Sequence, residues 1–443
     1  MQQDATAPGY VRRLGAWSAA MMVVGGVIGG GIFVNPSTVA QRTHSGVDLL
    51  ALWIVGGLLT LAGALCFAEL GARRPQAGGS YVYLREAFGS LPAFLFGWTM
   101  LLVNYSGSIA AVGMIFARYT CVAVGLPETL VKPIGVGAIV LLGGINAFGI
   151  RAGALVQNLF TVLKLLAVAI LVVIGLAWAG NGHLGAAFVG DPAQAALPRW
   201  ALAGALLPVL FSYGGFAYVN NIAGEIREPA RNLPRALGLG MLLVLGCYVL
   251  VNIAYMSALG HAGLAASDTP AADVMARVFG DNGRRLIAAG IAISTFGYCN
   301  IAMIGSARVF QVMGADGVFF RSVARLHPRW HVPNRALAVV AAWAVLLTLS
   351  GTYNQLLDYS TVGDWLGYAA AVATLFWYRH THAGNASAYR TPLYPLTPLL
   401  FIATVMVIVA ILVITRPVSV GIGLLIIAAG VPVFVLWRRW FSR

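Results

Sequence analysis

Two glycine-rich stretches hold the residues whose types and spacing could bind a ligand. Residues 25–33 read Gly-Gly-Val-Ile-Gly-Gly-Gly-Ile-Phe, and residues 211–217 read Phe-Ser-Tyr-Gly-Gly-Phe-Ala. Each lies inside a long apolar segment. A glycine costs roughly 1 kcal/mol relative to alanine in a helix interior, and in lipid a freed backbone group finds no water. Five glycines within residues 25–31 therefore mark a break between two half-helices. The alternative is close packing of one helix on another, which small residues also permit. If both stretches are breaks, their chemistry is complementary. A half-helix N-terminus offers free amides and a partial positive charge, which suits a carboxylate. A half-helix C-terminus offers free carbonyls, which suit an ammonium group. The amides of Gly29, Gly30 and Gly31 are then the expected carboxylate ligands, and carbonyls near Val27, Phe211 and Gly214 the expected amine ligands. A zwitterion needs both, and neither break contains a side chain charged at neutral pH.

Few ionisable side chains lie within apolar segments. Lys164, one of two lysines in the chain, sits at least ten residues from either end of its segment. At roughly 1.5 Å per residue that is about 15 Å deep, and a charge so placed faces the interior and marks a pathway. It also reads as a structural lysine bound to helix-end carbonyls, and the two readings are compatible; a fixed ammonium beside the breaks could occupy the place of a bound sodium ion. Asp358 reads as hydrated near a segment end. Asp364 is deeper: it either bears a proton or attracts a cationic substrate, or it faces a water-filled vestibule or pairs locally. Glu69 and Glu225, beside arginines, read as an inner gate or as surface ion pairs, which contribute little each. Arg118 and Arg308 are expected to snorkel to the interface. Among the aromatic residues near the breaks (Phe33, Phe211, Tyr213, Phe216), Phe211 immediately precedes the second break and could close over a ligand.

The elements that must position these residues are membrane helices. The chain has 443 residues, of which 59% are hydrophobic and only 9% charged, against about 25% charged in soluble domains. Spans need about 20 apolar residues. Twelve are expected: 14–39, 47–70, 91–122, 133–150, 154–178, 201–224, 236–260, 285–313, 335–351, 354–377, 396–414 and 417–437. The net charge of +14 reflects basic loops on one side of the membrane rather than a nucleic-acid partner. Eighteen of the 28 basic residues fall on the side of the N-terminus and seven on the other, so both termini are expected in the cytoplasm. Residues 1–8 do not read as a signal peptide.

The two breaks lie in the first and sixth spans. An offset of five spans inverts the second copy, and glycine-interrupted segments at matching positions are the sequence pointer to an inverted-repeat transporter site. The expected layout is a cytoplasmic N-terminal segment 1–13, repeat one at 14–178, repeat two at 201–377, two further helices within 396–437, and a cytoplasmic C-terminus 438–443. The four cysteines, Cys66, Cys121, Cys247 and Cys299, show neither a disulfide framework nor metal-ligand spacing. No catalytic motif is present and the histidines fall in loops or past span ends, so no enzyme, cofactor or metal is expected.

Several stretches resemble the amino acid–polyamine–organocation superfamily, in particular its L-type amino acid transporter branch and that branch's bacterial members. They are GGVIGGGIFVNP, FAELGARRPQAGGSYVYLREAFG (67–89), FSYGGFAYVNNIAGEIREPARNLPRA, ISTFGYCNIAMIGSARVF and the lysine setting VQNLFTVLKLL. The resemblance implies an all-α integral membrane protein with a leucine-transporter-type 5+5 inverted repeat, substrate between the breaks of helices 1 and 6, and sodium-independent exchange of amino acids. It implies that Gly29 to Gly31 hold the carboxylate, that Val27, Phe211 and Gly214 hold the amine, and that Phe211 gates. It also implies that Lys164 bridges helices 1 and 8 and meets Ser294 or Thr295 in place of sodium. Two departures stand out: Gly30 replaces a common serine, and Ala217 replaces a residue that is polar in some relatives. Animal relatives need a glycoprotein partner joined through an outer-loop cysteine; Cys121 reads as embedded, and no such partner is expected. The resulting expectation is a sodium-independent exchanger of neutral L-amino acids in the cell inner membrane. The alternatives are a proton-coupled symporter or a cationic amino acid/polyamine antiporter, with Asp364 as the coupling carboxylate, and a membrane sensor that binds without transport.

Overall fold

A computed structural model describes residues 9–179, 201–351, 353–382, 384 and 389–441. Among them no strand forms, and the single isolated bridge joins Leu14 to Ile226. Eight helical stretches are long and apolar enough to cross a membrane, and a ninth is the bent pair 16–40.

That pair consists of α1 (Ala16–Val27) and α2 (Gly31–Ala40), which meet at 43°. α3 (Gly46–Arg73) starts on a serine cap, Ser45 Oγ accepting from the Asp48 amide at 3.2 Å. α4 (Ser80–Phe88) is a short helix that the sequence reading leaves as loop; it is flanked by Gly79 and Gly89, both at positive φ. α5 (Ser90–Thr99) continues through a π-helical turn, Met100–Tyr105, into α6 (Ser106–Val124). α7 (Val131–Ala147) and α8 (Ile150–Ala179) follow. α9 (Ala201–Ser212) stops where the turns 213–217 begin, and α10 (Tyr218–Asn221) resumes for one turn. α11 (Pro229–Ala265) and α12 (Pro270–Ala315) overrun the expected spans 236–260 and 285–313, each through one glycine at positive φ, Gly260 and Gly280. α13 (Asn334–Ser350), α14 (Tyr353–His380), α15 (Leu396–Thr415) and α16 (Pro417–Phe441) complete the chain.

α11 packs along α3, α1 and α8, and α12 along α6 and α8. Lipid supplies no hydrophobic drive between helices, so shape and hydrogen bonds hold them. The interior is accordingly dense at its aromatic contacts: Trp53, Tyr213 and Tyr248 are fully buried and pack ring against ring, and Tyr213 Oη donates to the Trp53 carbonyl at 3.0 Å.

At the end of the bundle near Leu14 the charges that read as an inner gate or as surface ion pairs are buried, which sets the surface alternative aside. Glu225 and Arg308 are each about 1% exposed and paired at 2.8 Å. Arg308 therefore does not snorkel, because its guanidinium has a carboxylate inside the protein. Glu69 is also fully buried and accepts from Arg73, Arg379 and the Thr391 amide at 2.7–3.0 Å. Arg118 is exposed, in keeping with a snorkelling side chain. The side chain of Asp358 lies outside the described residues.

Candidate functional site

Both glycine-rich stretches interrupt their helices. After Val27 the backbone turns extended at Ile28 (φ −72°, ψ 90°) and re-enters a helix at Gly31. The two interruptions touch. Gly215 stands at φ +96°, and a Cβ there would lie 2.2 Å from the Gly26 carbonyl oxygen. Only glycine permits that approach. A Cβ on Gly25 would likewise strike Gln157 Nε2 at 2.0 Å and Thr161 Oγ1 at 2.5 Å on α8. Packing and interruption thus occur together, each glycine serving one or the other.

Between the interruptions lies a cavity of about 110 Å³, room for several waters, since one needs roughly 10–15 Å³ by this measure. Val27, Gly29, Gly30, Gly31, Phe211 and Gly214 all line it, as does Asp364. Phe211 is the one exposed residue of the lining, at 55%, so the cavity opens past its ring. Ser108, Tyr218, Tyr298, Trp365 and Tyr368 also line it, with the hydroxyls of Tyr218 and Tyr298 3.3 Å apart.

The backbone groups expected to bind a zwitterion are not equally available. The Gly29 amide donates to the Val27 carbonyl at 2.8 Å, so it is already engaged. The amides of Gly30 and Gly31 reach no acceptor among the described residues, as expected at the start of a helix with no side-chain cap. The Val27 carbonyl accepts from the Gly29 amide, and Tyr248 Oη stands 3.1 Å from it. The Phe211 carbonyl accepts once, from the Gly214 amide at 3.1 Å. The Gly214 carbonyl accepts nothing from the described residues. Open donors and open acceptors therefore remain on two sides of one cavity.

Lys164 is fully buried behind α1. Its ammonium donates to the carbonyls of Gly25 at 2.9 Å and Ile28 at 2.5 Å, the last carbonyls before the interruption. Ser294 Oγ on α12 lies 3.2 Å from the same Ile28 oxygen and 3.3 Å from that of Gly29. Lys164 and Ser294 meet through a shared acceptor, not directly. Thr295 does not join them: its hydroxyl bonds back to Ile291 and Ala292 of its own helix. A hydroxyl one position along a helix is turned by about 100°, and that rotation separates the two neighbours.

Two important residues escape the sequence reading. Tyr248 Oη on α11 lies between the Val27 carbonyl and the Ser212 carbonyl, at 3.1 and 2.9 Å, so the C-terminal ends of both first half-helices share its one proton. Nothing in its sequence context marks it. Asn35 Nδ2 reaches Ser212 Oγ at 2.8 Å and the Pro208 carbonyl at 3.1 Å, tying α2 to α9. An amide side chain before Pro36 inside a span is a signal that could have found it.

Among the described residues, an all-helical apolar bundle with an internal cavity between two interrupted helices has the character of a multi-pass membrane protein. Residues 14–437 match the amino acid permease family, and the chain belongs to that family, within the amino acid–polyamine–organocation superfamily. Among its relatives is the serine/threonine exchanger SteT of Bacillus subtilis, 32% identical over 96% of this chain and 97% of that protein. The b(0,+)-type amino acid transporter 1 of Mus musculus is 32% identical over 92% of this chain and 82% of its own length. The cystine/glutamate transporter of Homo sapiens is 31% identical over 95% of this chain and 85% of its own.

Proposed function

We propose that this protein is a sodium-independent exchanger of neutral L-amino acids, working by alternating access in the cell inner membrane. The observation that carries the reading is the cavity with open Gly30 and Gly31 amides on one side and an open Gly214 carbonyl on another. A free α-carboxylate and α-ammonium satisfy both. Phe211 and Val27 shape the amine end, and Gly29 holds the turn that aims the amides. Relatives that are transporters and exchangers by name support the same activity. They also weigh against an enzyme or a sensor that binds without transport.

In this reading the chain has twelve spans. The nine long or bent stretches are joined by the interrupted pair α9–α10, by α13 and by α14. Helices 1–5 (14–178) and 6–10 (201–377) are inverted repeats, 396–437 carries helices 11 and 12, and residues 1–13 and 438–443 are cytoplasmic. The buried ion pairs near Leu14 then close the cytoplasmic side, and the cavity faces outward past Phe211. The Lys164 ammonium stands in for a sodium ion by holding the carbonyls at the end of α1, with Ser294 as its partner across α12. No heavy-chain glycoprotein is required: Cys121 is 3% exposed, too buried to form an intermolecular disulfide.

Asp364 supports a second reading, proton-coupled uptake, because it is a carboxylate within the cavity lining. Counterflow in proteoliposomes separates the two. Exchange requires internal amino acid for uptake of labelled alanine or serine and is indifferent to a pH gradient. Uptake into empty vesicles driven by a pH gradient alone would overturn it.

A further inference from the structure

The cavity has a third pole that amino acid exchange as such does not use. Asp364 is the one carboxyl group of the lining, and it is half-buried on α14. No cation among the described residues pairs with it; the described ion pairs lie elsewhere. The buried lysine does not reach it, since the Lys164 ammonium is spent on the Gly25 and Ile28 carbonyls.

The surroundings of Asp364 are polar but uncharged. It lies close enough to Tyr105, Tyr298 and Tyr368 to act on each electrostatically, and Ser108 shares the lining. Its neighbour Asn104 sits in the π-helical turn Met100–Tyr105. Asn104 is 3% exposed, and its Nδ2 has no hydrogen-bond partner of normal geometry. π-helical turns inside α-helices recur at functional sites. A carboxyl group kept inside a membrane domain without a cationic partner is costly, and such groups face a pathway. It has lone pairs to offer and no charge to meet them.

We infer that Asp364 is the side-chain selector of this site: among short L-amino acids it favours those whose side chain carries a hydrogen-bond donor, and it widens the range beyond neutral substrates to a short cationic side chain, which it holds best. The inference rests on the exchange reading, because it assumes that backbone amides and carbonyls already hold the α-carboxylate and α-amine. A side chain leaving the Cα of a ligand so held has the remaining wall to meet, which is the wall of Asp364 and Ser108. Serine and threonine offer one hydroxyl donor. L-2,4-Diaminobutyrate offers an ammonium, which forms a charge-assisted bond roughly twice as strong as a neutral one. L-Norvaline, similar in size to diaminobutyrate but wholly apolar, leaves the carboxylate unpaired.

The test uses purified full-length protein in proteoliposomes preloaded with alanine. Labelled alanine uptake is first competed with alanine, serine, norvaline and diaminobutyrate. The expected order is diaminobutyrate, then serine, then norvaline, with at least tenfold between the first and last. Wild-type protein that takes norvaline as well as diaminobutyrate overturns the inference while leaving exchange intact. Vesicles that show no alanine counterflow at all overturn the exchange reading instead. Asp364→Asn, which keeps the shape and removes the carboxylate, should lower the diaminobutyrate-to-norvaline preference at least tenfold, read as the ratio of the two competitors within the variant. An unchanged ratio in that variant overturns the inference. A readout independent of any variant is voltage: entry of cationic diaminobutyrate against exit of alanine moves one positive charge, so an inside-negative potential accelerates it and leaves serine–alanine exchange unmoved. Diaminobutyrate entry that ignores the potential counts against a cation seated at Asp364.

Discussion

The centre of the bundle and its end near Leu14 solve the problem of polar groups in lipid in opposite ways. At the end, charge meets charge. Glu225 pairs with Arg308, Glu69 with Arg73 and Arg379, Glu86 with Arg74, and Asp316 with Arg85. The chain between is stitched down as well, the amides of Arg13 and Leu14 donating to the Glu225 carbonyl at 2.9 Å and Arg227 donating back to Leu14 at 2.8 Å. At the centre, polarity is mostly backbone and is left partly open, at Gly30, Gly31 and Gly214. The lesson is one of purpose. A closure must be complete in itself and come apart only when helices separate. A binding site must be incomplete, so that a ligand completes it.

Substitutions can break this contrast, and the largest effect belongs to the point where the two interruptions touch. Gly215→Ala places a Cβ 2.2 Å from the Gly26 oxygen at φ +96°, so α1 and α9 must move apart. Exchange should fall below detection and the melting transition of the solubilised protein should drop. Gly246→Ala, with no atom within 4 Å of the new Cβ, should leave both unchanged. Should Gly215→Ala retain normal exchange, the two interruptions do not meet as described.

The closure ranks next. Arg308→Met leaves Glu225 buried without its partner, and breaking a buried pair from one side costs about 3–5 kcal/mol. The double change Arg308→Met with Glu225→Met removes both charges and should recover most of that loss. Thermal unfolding in detergent measures both. If the single variant melts like wild type, the pair contributes nothing to closure. At the centre, Lys164→Ala removes the donor shared by two carbonyls at the end of α1. It should slow exchange tenfold or more while lowering the melting temperature less than Arg308→Met does. The reverse ranking would make Lys164 a structural residue only.

How legible these regions were differs for a physical reason. The spans, the two interruptions and the depth of Lys164 could be read because lipid punishes glycine runs and charges wherever they occur, so their presence alone is informative. The cavity lining was legible to the extent that it is backbone, which glycine spacing announces. What could not be read was pairing across the fold. Glu225 and Arg308 are 83 residues apart and looked like surface and snorkelling charges, yet they form one buried pair. Tyr248 is 221 residues from Val27 and gives no sign of its role. The split between Ser294 and Thr295 depends on a helix rotation that no local pattern encodes. The short helix α4 and the π-helical turn in the third span were missed because neither interrupts the hydropathy pattern.

The smallest effect sharpens the contrast most, because it adds to the open site rather than damaging it. Gly30 has room for a side chain: a Cβ there meets only Ile115 Cδ1 and Thr295 Cγ2, each at an ordinary 3.9 Å. Gly30→Ser should therefore fold and melt like wild type. Its hydroxyl adds one donor beside the open amides of Gly30 and Gly31, and a net hydrogen bond is worth about 0.5–1.5 kcal/mol. The KM for alanine should fall by about two- to tenfold, with little change in the maximal rate, since the new bond holds the carboxylate alike in every bound state. The same variant tests the Asp364 pole from the other end of the ligand: the gain should be equal for serine, norvaline and diaminobutyrate, which share the α-carboxylate and differ only in the side chain. A gain confined to one side chain would place the start of α2 at the side-chain end of the ligand and reverse its orientation in the cavity.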